Sequence, residues 1–274
     1  MYSLKKNIDD FSFKEDSYGN QFLSVFKRKG ITMGKLLKET KEKFNISDKI
    51  TFAGRLDPMA EGEVLILIGK NSCKNLGISI KYDKKYIFSF FTNCSSDSLD
   101  ILGIPNISFK NKYINESDKD SFIKYFNKKN YNQNYPNYSS ICVKNNDNLR
   151  KPLWWWTKNC RLSEIIIPSK NVSIKSLSFI RSYDIESKQL IDIIIKDLKC
   201  LEDDDNGFRK DEIIRCWEKL YNDSNLPKNF QVFDMTATVT SGTYIRQLIK
   251  DIGSYIGCDL LTLSIYRPFN GIIY

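Results

Sequence analysis

Apolar residues fall in two periods along this chain. From Ile31 to Phe44 they recur at helical spacing among charged residues, which predicts a helix whose lysines form a solvated face. Glu63 to Gly69 is a short apolar run and predicts a buried strand. Lys84 to Thr92 (KKYIFSFFT) combines aromatic residues with partial alternation and predicts another. Ser163 to Ile167, Ile174 to Ile180 and Leu190 to Ile195 carry similar signatures, so strands are expected to dominate the middle of the chain. Ile213, Ile214, Trp217, Leu220 and Tyr221 share one helical stripe after the acidic Asp203 to Asp205, the pattern of a surface insertion with an amphipathic helix. Phe233 to Thr240 alternates as a strand. Gly242 and Thr243 then turn into a helix running to about Tyr255, with Arg246 in its first turn.

Between Asn127 and Asn159 the periodicity lapses. Asn, Lys and Tyr dominate, Pro136 and Pro152 punctuate the segment, and Trp154, Trp155 and Trp156 stand in a row. The segment reads as a long excursion from the sheet. Its interleaved aromatics and cations are the stacking surfaces and phosphate contacts that folded RNA requires. Consecutive residues of a strand or loop point in different directions, however, so the tryptophans serve equally well as a cap on the core.

Composition narrows the chemistry. The 274 residues are enough for one large α/β domain or two small ones, and one is expected here. Forty-two Lys and Arg against 33 Asp and Glu leave a formal charge of +9, which suits a polyanionic partner. No apolar segment is long enough to span a membrane, and MYSLKKNIDD lacks the apolar centre of a signal peptide. A soluble, unsecreted protein is expected, with cytoplasm the default and nucleus, organelle and virus-infected cell left open. The seven cysteines are odd in number and widely spread, the pattern of free buried thiols. There is no histidine, so Ser-His-Asp and Cys-His chemistry is excluded and the commonest nitrogen ligand for zinc is missing. No metal site is expected. Catalysis, if present, must run on carboxylate, phenol, lysine or the substrate itself.

Gly54-Arg55-Leu56-Asp57-Pro58-Met59-Ala60-Glu61-Gly62 places one such carboxylate just before the strand at Glu63. Pro58 fixes its own φ and pushes Asp57 toward extended geometry, while the flanking glycines let backbone approach closely. An Asp-Pro pair between glycines is also the composition of an ordinary turn.

The stretch resembles the catalytic loop of pseudouridine synthases of the TruB-like family, which act on the TΨC arm of tRNA. Further segments match in order: Lys84-Lys85-Tyr86, then Ser96-Asp97-Ser98-Leu99-Asp100-Ile101-Leu102-Gly103, then Ser241-Gly242-Thr243-Tyr244-Ile245-Arg246 with Asp251-Ile252-Gly253 beyond. Weaker matches at Lys29-Gly30-Ile31-Thr32 and Tyr138-Ser139-Ser140 extend the resemblance over most of 25–271. It implies an α+β fold with a mixed, largely antiparallel central sheet, flanked by helices and carrying a long RNA-binding loop. A single domain over 1–274 is expected, with insertions at about 127–160 and 200–228 and no C-terminal PUA domain.

The implied reaction detaches a uracil from C1′, rotates it and rejoins it through C5, which needs no electron donor and no cofactor. Asp57 takes the nucleophilic role, by attack on C1′ or by addition to C6. A guanidinium is expected to aim it, and Arg246 is the matched candidate. Because a stacked uracil is out of reach, it must be flipped out and held between flat surfaces. Tyr86 matches the family's stacking tyrosine and is expected to be catalytic, with its phenol near C5 where a proton is lost in the last step, and Tyr244 and Ile265 match further pocket positions. Arg55, Phe52, Asp97 and Lys29 are expected to bind substrate. Phe52 stands where relatives usually have a histidine, Arg55 where they have a small residue, and Lys27-Arg28-Lys29-Gly30 lacks the family's proline. The partner implied is RNA, with tRNA the leading substrate, and a monomer is expected. A synthase for another RNA, or a non-catalytic RNA-binding or RNA-folding protein, are the competing readings.

Overall fold

The computed structural model describes residues 14–15, 21–79, 83–108, 112–202 and 207–269. Eight strands form one twisted path in the order Lys14–Glu15, Gln21–Lys27, Ala60–Ile68, Leu260–Phe269, Lys84–Thr92, Asn229–Val239, Ser169–Glu186 and Lys129–Asn134. Ile50–Ala53 pairs separately with Ala60–Ile68 to make nine. Among the described residues the pairs in this sheet are antiparallel except one: Ala60–Ile68 lies parallel to Leu260–Phe269, with Ala60 opposite Ile265. The expected mixed, largely antiparallel sheet is therefore observed.

Successive residues of a strand face opposite sides, and both sides of this sheet are covered. On Asn229–Val239, Phe233, Met235, Ala237 and Val239 join one core while Phe230 and Val232 join the other. The first core takes in Leu36, Phe122, Phe126, Leu248 and Ile252 from the helices Met33–Lys43, Glu116–Phe126 and Ile245–Ile256. The second takes in Leu190, Ile194, Ile213 and Trp217 from Ser187–Lys199 and Lys210–Tyr221. This three-layer arrangement explains why the central strands read as almost continuously apolar.

The helix expected from Ile31 runs Met33–Lys43, entered through Thr32, whose side chain accepts from the Lys35 amide at 3.2 Å. The expected strand at 84–92 and the helix carrying Arg246 also form. Three expectations fail. Leu190 to Ile195 lies inside the helix Ser187–Lys199, where Leu190, Ile191, Ile194 and Leu198 are buried at helical spacing. Ser163 to Ile167 is a 3₁₀ turn at Leu162–Glu164 followed by irregular chain, and Ile166 is 88% exposed. Residues 127–159 hold a sheet strand, a hairpin pairing Cys142–Lys144 with Arg150–Pro152, and the helix Leu153–Lys158, rather than one long loop. The expected acidic run at 203–205 lies outside the described residues. Among the described residues no helix is long and apolar enough to cross a membrane.

Candidate active site

Asp57 sits in the connection between Ile50–Ala53 and Ala60–Ile68, where the Ala60 amide donates to the Asp57 carbonyl at 3.0 Å and closes a turn around Pro58. Two fully buried cations hold this turn through its carbonyls. Lys27 Nζ donates to the carbonyls of Pro58 at 3.0 Å, Ala60 at 2.7 Å and Arg28 at 3.2 Å. Arg267 donates through Nε to Glu63 at 2.8 Å, Nη1 to Arg55 at 3.2 Å and Nη2 to Gly54 at 3.0 Å. Burial pulls the Lys27 ammonium down to about 7, against the upward pull of Asp57 and Glu61. Gly62 permits the close packing: its φ is +126°, and a Cβ there would lie 2.2 Å from the Arg267 carbonyl oxygen. Sequence reasoning missed both cations as site residues. The available signal was charge in apolar surroundings, at the end of QFLSVFK and within LLTLSIYRPF.

Arg246 enters from the first turn of Ile245–Ile256 and is 3% exposed. Its Nε donates to Asp57 Oδ2 at 2.8 Å and lies 3.5 Å from Asp100 Oδ2. Its Nη1 donates to the Ser98 carbonyl, and Nη2 to the Tyr138 carbonyl at 3.3 Å. Burial opposes the Arg246 charge, but Asp57 and Asp100 more than offset it and hold the guanidinium above its ordinary range. The Asp57 and Arg246 pairing expected from sequence is therefore present, although 189 residues separate the two.

Asp100, not Asp97, is the carboxylate of the 96–103 loop that turns toward Arg246. Its Oδ1 accepts from Ser98 Oγ at 2.6 Å and from the Leu102 amide at 3.0 Å. Burial raises the Asp100 carboxyl, with Arg246 and the Ser98 hydroxyl pulling the other way. Asp97 instead accepts from Arg209 at 2.8 Å, Tyr138 Oη at 3.2 Å and the Ile104 amide at 3.0 Å. It acts on two side chains that themselves line the cleft.

That cleft encloses about 290 Å³, with Asp57, Asp100 and Arg246 in one wall and Trp154, Ser139 and Arg209 among its other lining residues. Arg55 lines it too, exposed and with its guanidinium 5.3 Å from the centre of the Phe52 ring. Ile265 lines a separate void of about 10 Å³ that also touches Asp57. Tyr86 and Tyr244 line neither cavity. Tyr86 is 6% exposed in the first core, and its hydroxyl accepts from Arg267 Nη1 at 3.4 Å, so it reaches the turn through that cation. Burial, then the nearby Asp57 charge, pushes the Tyr244 phenol up to about 12. It is a neutral donor at physiological pH. Lys29 is drawn away into an ion pair with Asp197 at 2.6 Å and does not line the cleft. Trp156 is fully buried and donates to the Lys151 carbonyl at 3.0 Å, so the helix splits the tryptophan row between core and cleft. Among the described residues no group of three or more His, Cys, Asp or Glu is placed to hold a metal ion.

Comparison with known proteins bears on the same region. The model of the TruB family pseudouridylate synthase (N terminal domain) matches residues 41–197, more than half of the chain. The match takes in Asp57, Tyr86 and Asp100 and stops before Arg246. The protein named tRNA pseudouridine synthase B of Blochmanniella pennsylvanica (strain BPEN) is 26% identical over 252 residues, 90% of this chain and 74% of the relative. Its namesake in Clostridioides difficile (strain 630) is 25% identical over 257 residues, 92% of this chain and 66% of the relative. A chain from the solved Cbf5-Nop10-Gar1 complex shares the fold, with a TM-score of 0.52 at 13% identity over 90% of this chain and 47% of that one. The present chain thus spans about half of that solved chain and two thirds to three quarters of these two relatives. With the family model matching more than half of the chain and covering the turn that carries Asp57, the chain belongs to the TruB family of pseudouridylate synthases.

Proposed function

We propose that this chain isomerises an extruded uridine of tRNA to pseudouridine, in the TΨC arm, with Asp57 as the nucleophile and without a cofactor. The observation that carries the proposal is the 2.8 Å contact between Asp57 Oδ2 and the buried Arg246 Nε at the wall of the cleft. Family membership supports the reaction class, the names of the two relatives support tRNA, and the T arm rests on the sequence resemblance.

The geometry suits the reaction. A carboxylate that must attack C1′ or C6 has to be held in one direction, and Arg246 does this while its other nitrogens are anchored on the Ser98 and Tyr138 carbonyls. The turn itself is fixed from behind by Lys27 and Arg267, so the backbone that carries Asp57 is held in place while Arg246 aims its side chain. At about 290 Å³ the cleft is near the lower end of small-ligand sites, a scale suited to a single extruded base. Arg55, Lys158 and Arg209 line it, and these cations suit an RNA backbone.

The test incubates wild type and Asp57→Asn with an unmodified tRNA transcript and maps pseudouridine at single-nucleotide resolution. Wild type is expected to convert one uridine of the T arm, and the Asn variant to be slower by ~10³-fold or more while remaining folded. Comparable rates in the two proteins would remove Asp57 from its role. Pseudouridine appearing only in a different RNA would overturn the substrate.

A further inference from the structure

Lys129–Asn134 is the last strand of the sheet path, and Gln133 is the one buried residue of its KNYNQN sequence. A buried amide costs free energy unless its donor and its acceptor are both paired, and an apolar side chain would fill the same space without that demand. Gln133 is paired at both ends. Its Oε1 accepts from the Tyr244 amide at 2.8 Å, and its Nε2 donates to the Tyr244 carbonyl at 3.2 Å and to the Tyr131 hydroxyl at 3.0 Å. Tyr244 is the residue at which the helix Ile245–Ile256 begins, and its own side chain makes no capping bond. The Gln133 amide takes over that task, gripping both main-chain groups of one residue.

The contacts continue on either side of this grip. The Tyr131 hydroxyl donates to Asp251 Oδ2 at 3.0 Å and Gln247 Nε2 donates to Asp251 Oδ1 at 2.8 Å, which ties the strand to the second turn of the same helix. Beyond Gln133, the Tyr135 ring meets the Tyr244 ring edge-on at 5.6 Å between centres, and the Tyr138 carbonyl accepts from Arg246 Nη2 at 3.3 Å. Residues 133–138 thus follow residues 244–246 through backbone, ring and guanidinium. Arg246 stands two residues beyond Tyr244, so a shift of the helix start is carried to the nitrogen that holds Asp57 Oδ2 at 2.8 Å. Gln133 itself is 2% exposed and lines neither cavity. Any influence it has on the reaction runs through Arg246.

We infer that Gln133 is a positioning residue for pseudouridine formation, fixing the start of the Arg246 helix and with it the direction in which Arg246 aims Asp57. This rests on the pseudouridine synthase assignment made above and deepens it. Gln133→Met keeps an unbranched side chain of similar length and removes the grip on Tyr244. Because a displacement of about 1 Å at a catalytic group is worth on the order of 100-fold, kcat should fall roughly tenfold or more. Affinity for the RNA should stay within about twofold, since Gln133 lines no part of the cleft. Tm should fall as well, because the Tyr244 amide loses its acceptor. Two comparisons separate aiming from stability. Tyr131→Phe removes a hydroxyl from the same network but leaves both Tyr244 bonds, so it should lower Tm while keeping kcat within about twofold. In the Arg246→Lys background, Gln133→Met should cost a further twofold or less, roughly, because the guanidinium it positions is gone.

The experiment measures thermal unfolding, RNA affinity by filter binding and kcat on the tRNA transcript for wild type, Gln133→Met, Tyr131→Phe, Arg246→Lys and the Gln133→Met, Arg246→Lys double variant, all well below the lowest Tm. Gln133→Glu, which keeps the acceptor for the Tyr244 amide, takes the same place in the cycle if Gln133→Met does not fold. A loss of kcat at unchanged affinity, absent from Tyr131→Phe and absorbed by Arg246→Lys, supports the assignment. Near-normal kcat in the Gln133 variant, an equal loss in Tyr131→Phe, or losses that multiply in the double variant overturn it while leaving the reaction assignment intact. A wild-type protein that isomerises no uridine sinks both together.

Discussion

Lys27 makes a quantitative test of how the catalytic turn is held. Its ammonium has three protons and three carbonyl acceptors, at Arg28, Pro58 and Ala60, and no exposed surface. Burial lowers its pKa from 10.5 to about 7 in the folded protein, despite Asp57 and Glu61. Between those values the unfolded chain binds more protons at this position than the folded one, so stability rises with pH. The contribution is most unfavourable below pH 7, where both states are charged, and the penalty is released as pH climbs toward 10.5. At about 1.4 kcal/mol per tenfold in proton activity, less the partial titration at each end, this one residue adds about 2 kcal/mol of stability between pH 7 and pH 9. Lys27→Met keeps an unbranched chain of similar length and removes the titration, at the cost of leaving the Arg28, Pro58 and Ala60 carbonyls without this donor. Urea unfolding of both proteins at pH 7, 8 and 9, followed by tryptophan fluorescence, should show wild type gaining about 2 kcal/mol on the variant across the window. Lys84, which burial lowers to about 8, slopes in the same direction but is common to both proteins and cancels in the difference. A gap between wild type and variant that stays constant with pH, or narrows in the opposite sense, would refute a buried titrating ammonium at Lys27.

Two substitutions probe the rest of the site. Arg246→Lys keeps the charge but replaces a planar fork by a point donor that cannot serve Asp57, Ser98 and Tyr138 at once. It should lower kcat/KM for the tRNA transcript on the order of 100-fold and lower Tm as well, because buried acceptors lose their donor, and near-normal kinetics would show that aiming by the guanidinium is unnecessary. Gly62→Ala forces a Cβ to within 2.2 Å of the Arg267 carbonyl oxygen at a φ of +126°. A loss of roughly 3 kcal/mol or more in urea unfolding is expected, and wild-type stability would mean that the two strands part without cost.

The parts of the fold that were legible are those where one local signal dominates. Lys84–Thr92 is read correctly because its aromatic, alternating pattern is the period of the sheet it joins. Ser187–Lys199 is misread because a six-residue window of Leu and Ile favours a strand. Only over 13 residues does the burial of Leu190, Ile191, Ile194 and Leu198 declare a helix. Lys129–Asn134 is missed for a different reason: its KNYNQN side chains are polar, while the pairing with Ser169–Ile174 is made by backbone. Gln133 is nevertheless buried, and its side chain spans the Tyr244 amide and carbonyl at the start of the Arg246 helix.

The candidate site divides along the same line. Asp57 calls for a guanidinium on physical grounds, and it is the resemblance to the TruB-like family that picks out Arg246 before any fold is known. Asp97 and Asp100 cannot be ranked by spacing, because the choice depends on which carboxylate folds inward onto the Ser98 hydroxyl and the Leu102 amide. Lys27 and Arg267 are harder still. Their partners are main-chain carbonyls, which every residue carries, so no second side chain marks the contact. A buried cation neutralised by backbone dipoles is visible in sequence only as a charge in an apolar strand. What separates it from an edge-strand lysine or arginine is the turn folded over it, in this case the one that carries Asp57.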